Sequence, residues 1–173
     1  KHRRQRQMCI RDSANSGDLY YSNNLGKDWE SATGLIDIEH SLFEESFGIH
    51  IVEEATSNPM VLYAGYIQSK IKGQDPHQLD EIEQSPGMYK SLDGGMSWFP
   101  INNGLPDKDY SRNISDIAVS KQNENIVYIN SLFDGLYYTV DGGESWNHLK
   151  GELPAGLSWD DCGHTCVNEE GER

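Results

Sequence analysis

No apolar run in this 173-residue chain approaches the roughly 20 residues that a helical membrane span needs, which excludes that class. Cations are scarce. Fourteen Lys and Arg stand against 28 Asp and Glu, a formal net charge of −14. Phosphate would meet repulsion, so nucleic acid is not an expected partner. Hydrophobic residues make up only 36 % of the chain and mean hydropathy is −0.69, both low for a chain that must fill its own core. Aromatics are what it has instead: nine Tyr, four Trp and four Phe. A disordered acidic chain would be poor in them, so a packed structure is expected, and the length suggests one domain.

The basic residues are unevenly spread. Five of the fourteen lie between Lys1 and Arg11. No apolar stretch follows this basic start, so it is not a secretory signal. A basic nucleic-acid arm and a foreign tail are the two readings of it, and residues 1–13 are left out of the expected fold. Glu169-Glu170-Gly171-Glu172-Arg173 carries no closing element. Both ends read as those of a fragment.

An internal repeat organises the rest. Ser91-Leu92-Asp93-Gly94-Gly95-Met96-Ser97-Trp98 matches Thr139-Val140-Asp141-Gly142-Gly143-Glu144-Ser145-Trp146. A weaker copy is Ser22-Asn23-Asn24-Leu25-Gly26-Lys27-Asp28-Trp29. Upstream, Val61-Leu62-Tyr63-Ala64 matches Ile126-Val127-Tyr128-Ile129, and Ile49 and Val52 match Ile114 and Ile117. The second and third octets are 48 residues apart, whereas their upstream strands are 65 apart. An insertion of 17 residues at about 68–86 accounts for the difference. The first and second octets, 69 apart, exceed the period by that insertion and four residues of loop. A period of 48 falls within the about 40–50 residues of a four-stranded repeat unit.

The octets read as hairpin turns. Glycine supplies positive φ, and Asp93, Asp141 and the preceding Ser91 or Thr139 can bond turn amides. Trp98 and Trp146 open the outgoing strand and cover the turn. Pro106 and Pro154 are expected to end that strand. Ile126–Ile129 is apolar on both faces, which predicts a strand covered by sheets on either side.

These octets resemble the Asp-box, or BNR repeat, of sialidases, xyloglucan-active glycoside hydrolases, sortilin-type receptor domains and photosystem II assembly factors. The resemblance spans about residues 17–157 and implies an all-β fold, a β-propeller segment of about two and a half four-stranded blades. Its structural residues would be Ser22, Asn24, Gly26, Trp29, Ser91, Asp93, Gly95, Trp98, Thr139, Asp141, Gly143 and Trp146. The expected units are a partial blade over 14–47 (outer two strands plus a connecting loop) and blades over 48–113 and 114–157. Residues 158–173 would start a further blade or fray. A closed ring needs about four to eight blades, so the remaining blades are an expected partner, and the open edges should promote association.

In an up-and-down blade the Asp-box turns share one face, and the 2–3 and 4–1 loops lie on the other. Long loops are where binding and catalysis concentrate. The candidate binding face is therefore His40, Glu44, Asp75, His77, Asp80, Asp109, Tyr110, Arg112 and Asp134, together with Glu39, Glu45, Glu81 and Asp107. A carboxylate pair there would suit glycoside hydrolysis, which needs two acids about 5–10 Å apart, one of them desolvated. A sialidase would also clamp its substrate with three arginines, and beyond the first eleven residues only Arg112 and Arg173 remain. No complete sialidase site fits. Cys162-Gly163-His164-Thr165-Cys166 can be read as a disulfide pair, as two plain thiols or as metal ligands. No cofactor is expected, beyond weak attraction of divalent cations to the acidic surface.

The expected role is a non-catalytic binding scaffold of a larger exported protein, extracellular or periplasmic, offering an acidic loop face to a protein or glycan. The alternative is a fragment of a secreted BNR-repeat glycoside hydrolase without a complete active site. A weaker third reading is an assembly factor for a membrane complex.

Overall fold

The computed structural model describes residues 8–11, 19–35, 48–67, 87–106, 112–132 and 134–149. Among these there is no helix, and so none long and apolar enough to cross a membrane. Eleven strands form three antiparallel sheets. The first contains β1 (Met8–Arg11), β2 (Leu19–Ser22) and β3 (Glu30–Ser31), in that order. The second runs β4 (Gly48–Glu54), β5 (Leu62–Ile67), β6 (Met88–Ser91) and β7 (Phe99–Pro100). The third runs β8 (Ile114–Val119), β9 (Val127–Ser131), β10 (Gly135–Thr139) and β11 (Asn147–His148). Each strand pairs with its neighbour in the chain, so every sheet is an up-and-down meander.

Three expectations are corrected. Met8–Arg11 pairs with β2 in the register Met8↔Ser22 to Arg11↔Leu19, so part of the segment left outside the fold is a strand. The first sheet accordingly has three strands rather than two. Its short apolar stretch, hidden among arginines, extends a ladder that the more apolar β2 offers. Second, β7 ends at Pro100, not Pro106. Pro100 is tolerated because β7 is the sheet's edge, where a missing N–H costs nothing. Third, β9 is not covered on both faces: Val127 and Ile129 are buried, whereas Tyr128 is 45 % exposed.

That third point follows from how the sheets stack. β5 alternates its side chains between two apolar layers. Leu62, Ala64 and Tyr66 join Leu19, Tyr89 and Trp98 in a layer between the first and second sheets. Tyr63 joins Met88, Ile114, Ile117, Val127, Ile129 and Trp146 in a layer between the second and third. The second sheet is thus buried on both sides, and the third on one. Tyr63 is fully buried where its counterpart Tyr128 is not.

The two inner strands carry a register irregularity at corresponding places, between Ile49 and Ile51 in β4 and between Ile114 and Asp116 in β8. A bulge sharpens local twist, and the two strands bend alike where they lie side by side.

Candidate functional site

The three octets fold as one turn design. Ser91 Oγ accepts from Gly95 N at 2.8 Å and donates to Asp93 Oδ1 at 2.8 Å. Asp93 then accepts from Ser97 twice, from the amide at 2.9 Å and from the hydroxyl at 2.5 Å. Thr139, Asp141, Gly143 and Ser145 repeat this with distances of 3.0, 2.5, 3.0 and 2.6 Å. Gly94, Gly95, Gly142 and Gly143 all adopt φ between 75° and 96°, the left-handed region that a side chain would strain. Both carboxylates are spent within their own turns. Burial works to raise Asp93, but the bonds from Ser97 and Ser91 outweigh it and hold the group below its ordinary value. Asp141 is held well below the carboxylate range, first by the Ser145 hydroxyl and then by that of Thr139.

The degenerate octet reaches the same shape by exchanging partners. Asn24 Oδ1 accepts from the Asp28 amide at 2.9 Å, and Asn24 Nδ2 donates to the Asp28 carboxylate at 2.6 Å. The charge has moved four residues along the turn. Leu25 stands where Gly94 and Gly142 stand, at φ 64°.

Successive sheets are sewn together at these turns. After β3 the chain runs beside the second turn: Thr33 N donates to Met96 O at 3.0 Å, and Trp98 N donates to Thr33 O at 2.8 Å, forming a parallel bridge. After β7 the contact recurs. Trp146 N donates to Asn103 O at 2.9 Å, and Asn103 Nδ2 donates to Glu144 O at 2.9 Å. Gly34 (φ 82°) and Gly104 (φ 89°) follow Thr33 and Asn103, and a Cβ at either would run into the carbonyl oxygen of the apposed tryptophan. The indole of Trp146 also donates to Ile101 O across the junction at 2.6 Å, whereas that of Trp98 donates to Gly95 O at 3.0 Å within its own turn.

A model of the BNR/Asp-box repeat matches residues 137–148, the hairpin of β10 and β11. No curated protein matches. Among solved structures, an ancestral GH74 enzyme superposes with a TM-score of 0.53 at 19 % identity, over 88 % of this chain and 19 % of its own. YCF48 bound to D1 peptide superposes with a TM-score of 0.50 at 16 % identity, over 83 % of this chain and 37 % of its own. The chain has the fold of a β-propeller segment and carries a BNR/Asp-box repeat at residues 137–148. It spans little more than a third of the one propeller's length and about a fifth of the other's. The three sheets are consecutive blades, the octets are their 3–4 turns, and β4 and β8 are inner strands.

Of the candidates expected on a face opposite the Asp-box turns, Arg112 and Asp134 lie among the described residues. His40, Glu44, Asp75, His77, Asp80, Asp109 and Tyr110, with Glu39, Glu45, Glu81 and Asp107, lie outside the described residues, as do Cys162 and Cys166. Arg112, in the loop that enters the third blade, is tied by its Nε to Pro106 O at 2.7 Å. Asp134, between β9 and β10, accepts from the Tyr137 hydroxyl, and burial together with this contact pushes that phenol above its ordinary pKa.

Two groups escaped the sequence reading. Glu53 on β4 is raised above its ordinary carboxyl value by burial first, then by the charges of Asp116 on β8 and of Glu54. Only the alignment of inner strands from adjacent blades brings these acids near one another, and no local motif announces it. Lys90 on β6 donates to Gly142 O of the next blade at 2.8 Å, with its ammonium 5.4 Å from the centre of the Tyr63 ring. Burial depresses it. Tyr63 OH donates to Glu124 O at 2.7 Å, and the Glu124 carboxylate accepts from Ser57 Oγ at 2.8 Å. Among the described residues no group of three or more His, Cys, Asp or Glu is arranged to hold a metal ion.

Proposed function

We propose that the chain supplies blades to a non-catalytic, exported propeller scaffold whose acidic loop face takes up a protein or a glycan. The observation that carries this reading is the saturation of Asp93 and Asp141 inside their turns. The residues that define the repeat serve shape, and what is left for recognition is the opposite, loop-bearing face. YCF48, one of the similar propellers, is seen with a bound peptide, which supports a protein ligand. A chain of net charge −14 favours a cationic one.

The test is capture of the purified chain on immobilised basic peptides and on a glycan array. Binding to basic peptides that weakens with added salt supports the reading. Hydrolysis of any sugar in a chromogenic glycoside panel would overturn the non-catalytic part. Export would permit a disulfide between Cys162 and Cys166, which mass spectrometry with and without reductant would reveal as a difference of two hydrogens. Any divalent cation would bind weakly at the loop face, and calcium titration calorimetry measures this.

A second reading is a fragment of a BNR-repeat glycoside hydrolase. It draws support from Glu53, an exposed residue on an inner strand whose carboxyl is raised by partial desolvation and then by the charge of Asp116 on the neighbouring inner strand. It predicts turnover of a xyloglucan-type oligosaccharide by a longer chain containing these blades, abolished by Glu53→Gln. Turnover unaffected by that change would remove Glu53 from the reaction.

A further inference from the structure

One of the two seams between blades carries a reactive pair of residues that the other lacks. Asn103-Gly104 joins the second blade to the third, where Thr33-Gly34 joins the first to the second. The pair forms the corner of a β-turn closed by Leu105 N, which donates to Asn102 O at 3.0 Å. Gly104 lies in the left-handed region and Asn103 does not, the pattern of a type II turn. Both polar ends of Asn103 are committed to the seam. Its carbonyl accepts from Trp146 N at 2.9 Å, and its carboxamide donates to Glu144 O at 2.9 Å. Asn103 and Gly104 are nevertheless exposed to water.

We infer that Asn103 is a self-modification site, deamidated when the seam between the second and third blades opens, and that the product keeps the seam from closing again. Glycine has no Cβ to obstruct the approach of its nitrogen to the preceding side chain. Gly104 N attacks Asn103 Cγ. The N–Cγ bond forms, the Cγ–Nδ2 bond breaks, and the proton of Gly104 N leaves with the side-chain nitrogen as ammonia. Water then opens the succinimide. Attack at Cγ leaves aspartate; attack at the main-chain carbon leaves isoaspartate, whose backbone is one carbon longer. The closed seam opposes the first step twice. Turning the carboxamide onto Gly104 N breaks its bond to Glu144 O. The ring also needs Cβ eclipsed with Gly104 N about the Cα–C bond, and the corner of a type II turn holds a different ψ. Local opening therefore gates the reaction. Either product lacks the donor for Glu144 O, and the longer backbone of isoaspartate carries the carbonyl away from Trp146 N. Asp93-Gly94 and Asp141-Gly142 share the glycine but not the fate. Their carboxylates are bonded within their turns and held ionised, and an ionised carboxylate is a poor target for an amide nitrogen. The inference is independent of what the loop face binds.

Timed incubation of the whole chain in mildly alkaline buffer tests this. Peptide mapping by mass spectrometry counts the exchange of NH for O at Asn103, and labelling by an isoaspartyl methyltransferase counts isoaspartate. In denaturing urea Asn103 should react at least about tenfold faster than in the native chain, a ratio equivalent to about 1.4 kcal/mol of local opening. Trp146→Phe removes the indole donor to Ile101 O across the same seam and should raise the native rate several-fold. Sub-denaturing urea on the unaltered chain should do the same, which serves if that variant does not fold. The aged chain should lose amide protection at Trp146. An aged Asn103→Gln chain, whose longer side chain does not close the five-membered ring, should keep it. Asp93 and Asp141 should remain unlabelled in the native chain. Equal rates in urea and in buffer overturn the inference, as does an Asn103 that stays intact in urea. So does a deamidated chain with unchanged protection at Trp146, and so does native isoaspartate at Asp93 or Asp141 matching that at Asn103.

Discussion

Gly104→Ala should strike the junction between the second and third blades while leaving both sheets chemically intact. Gly104 sits at φ 89°, and its added Cβ would overlap Trp146 O and lie 3.0 Å from Trp146 N. The left-handed backbone alone costs an L-residue about 1–2 kcal/mol. Relieving the overlap means parting the chain from the turn, which endangers the Trp146 N to Asn103 O bond and the Asn103 Nδ2 to Glu144 O bond, about 1 kcal/mol each. Loss of glycine's freedom in the unfolded chain returns about 0.4–1 kcal/mol. The net loss is about 2–3 kcal/mol. Gly26→Ala is the control, because it shares the backbone strain at φ 80° while its Cβ would meet only the rim of the Trp29 indole at 3.4 Å. It should cost about 1 kcal/mol. Urea titrations followed by tryptophan fluorescence measure both, and amide exchange at Trp146 locates the damage. Equal costs for the two variants, or unchanged protection at Trp146, would refute the view that close approach at Gly104 holds the blades together.

Leu25→Gly should stabilise the first blade by about 0.5–1 kcal/mol, since Leu25 pays for φ 64° yet is 73 % exposed and packs little; a thermal melt reads the gain. Asp93 and Asp141 titrate below their unfolded values, so the stability they lend is complete above about pH 4 and is lost as pH falls towards their folded values. The double change Asp93→Asn and Asp141→Asn should flatten the stability profile in that acid window, measured by urea midpoints across pH. Glu53 has the opposite sign. Its raised value means that the fold disfavours the ionised form, so Glu53→Gln should stabilise at neutral pH and have no effect well below pH 4, in the same assay.

The turns were legible because they are local. Ser, Asp, two glycines and Trp at fixed spacing determine a hydrogen-bond pattern within eight residues, and the period between copies sets the sheet. The first copy was legible despite Asn24, since the amide and Asp28 together do what one aspartate does elsewhere. What the sequence concealed depends on neighbours. Met8–Arg11 is too short and too flanked by arginine to look like a strand until β2 offers an edge. Tyr128 has the same side chain as Tyr63, and only the number of sheets stacked beside it decides that one is exposed and the other buried. Glu53 and Asp116 meet across two blades, a proximity set by strand register. Gly34 and Gly104 look like ordinary loop glycines, because the carbonyl oxygens that forbid a side chain lie more than forty residues ahead in the chain.

The stitches at Thr33 and Asn103 reach only the next blade in line. Such an array behaves as a row of links whose strength is a sum of intrinsic and nearest-neighbour terms. A defect at one seam weakens the two units that share it and is silent further along. Whole units can therefore be gained or lost over evolutionary time without rewriting the chemistry of the seams that remain, so long as each newcomer brings a glycine at its exit and a tryptophan turn at its entrance.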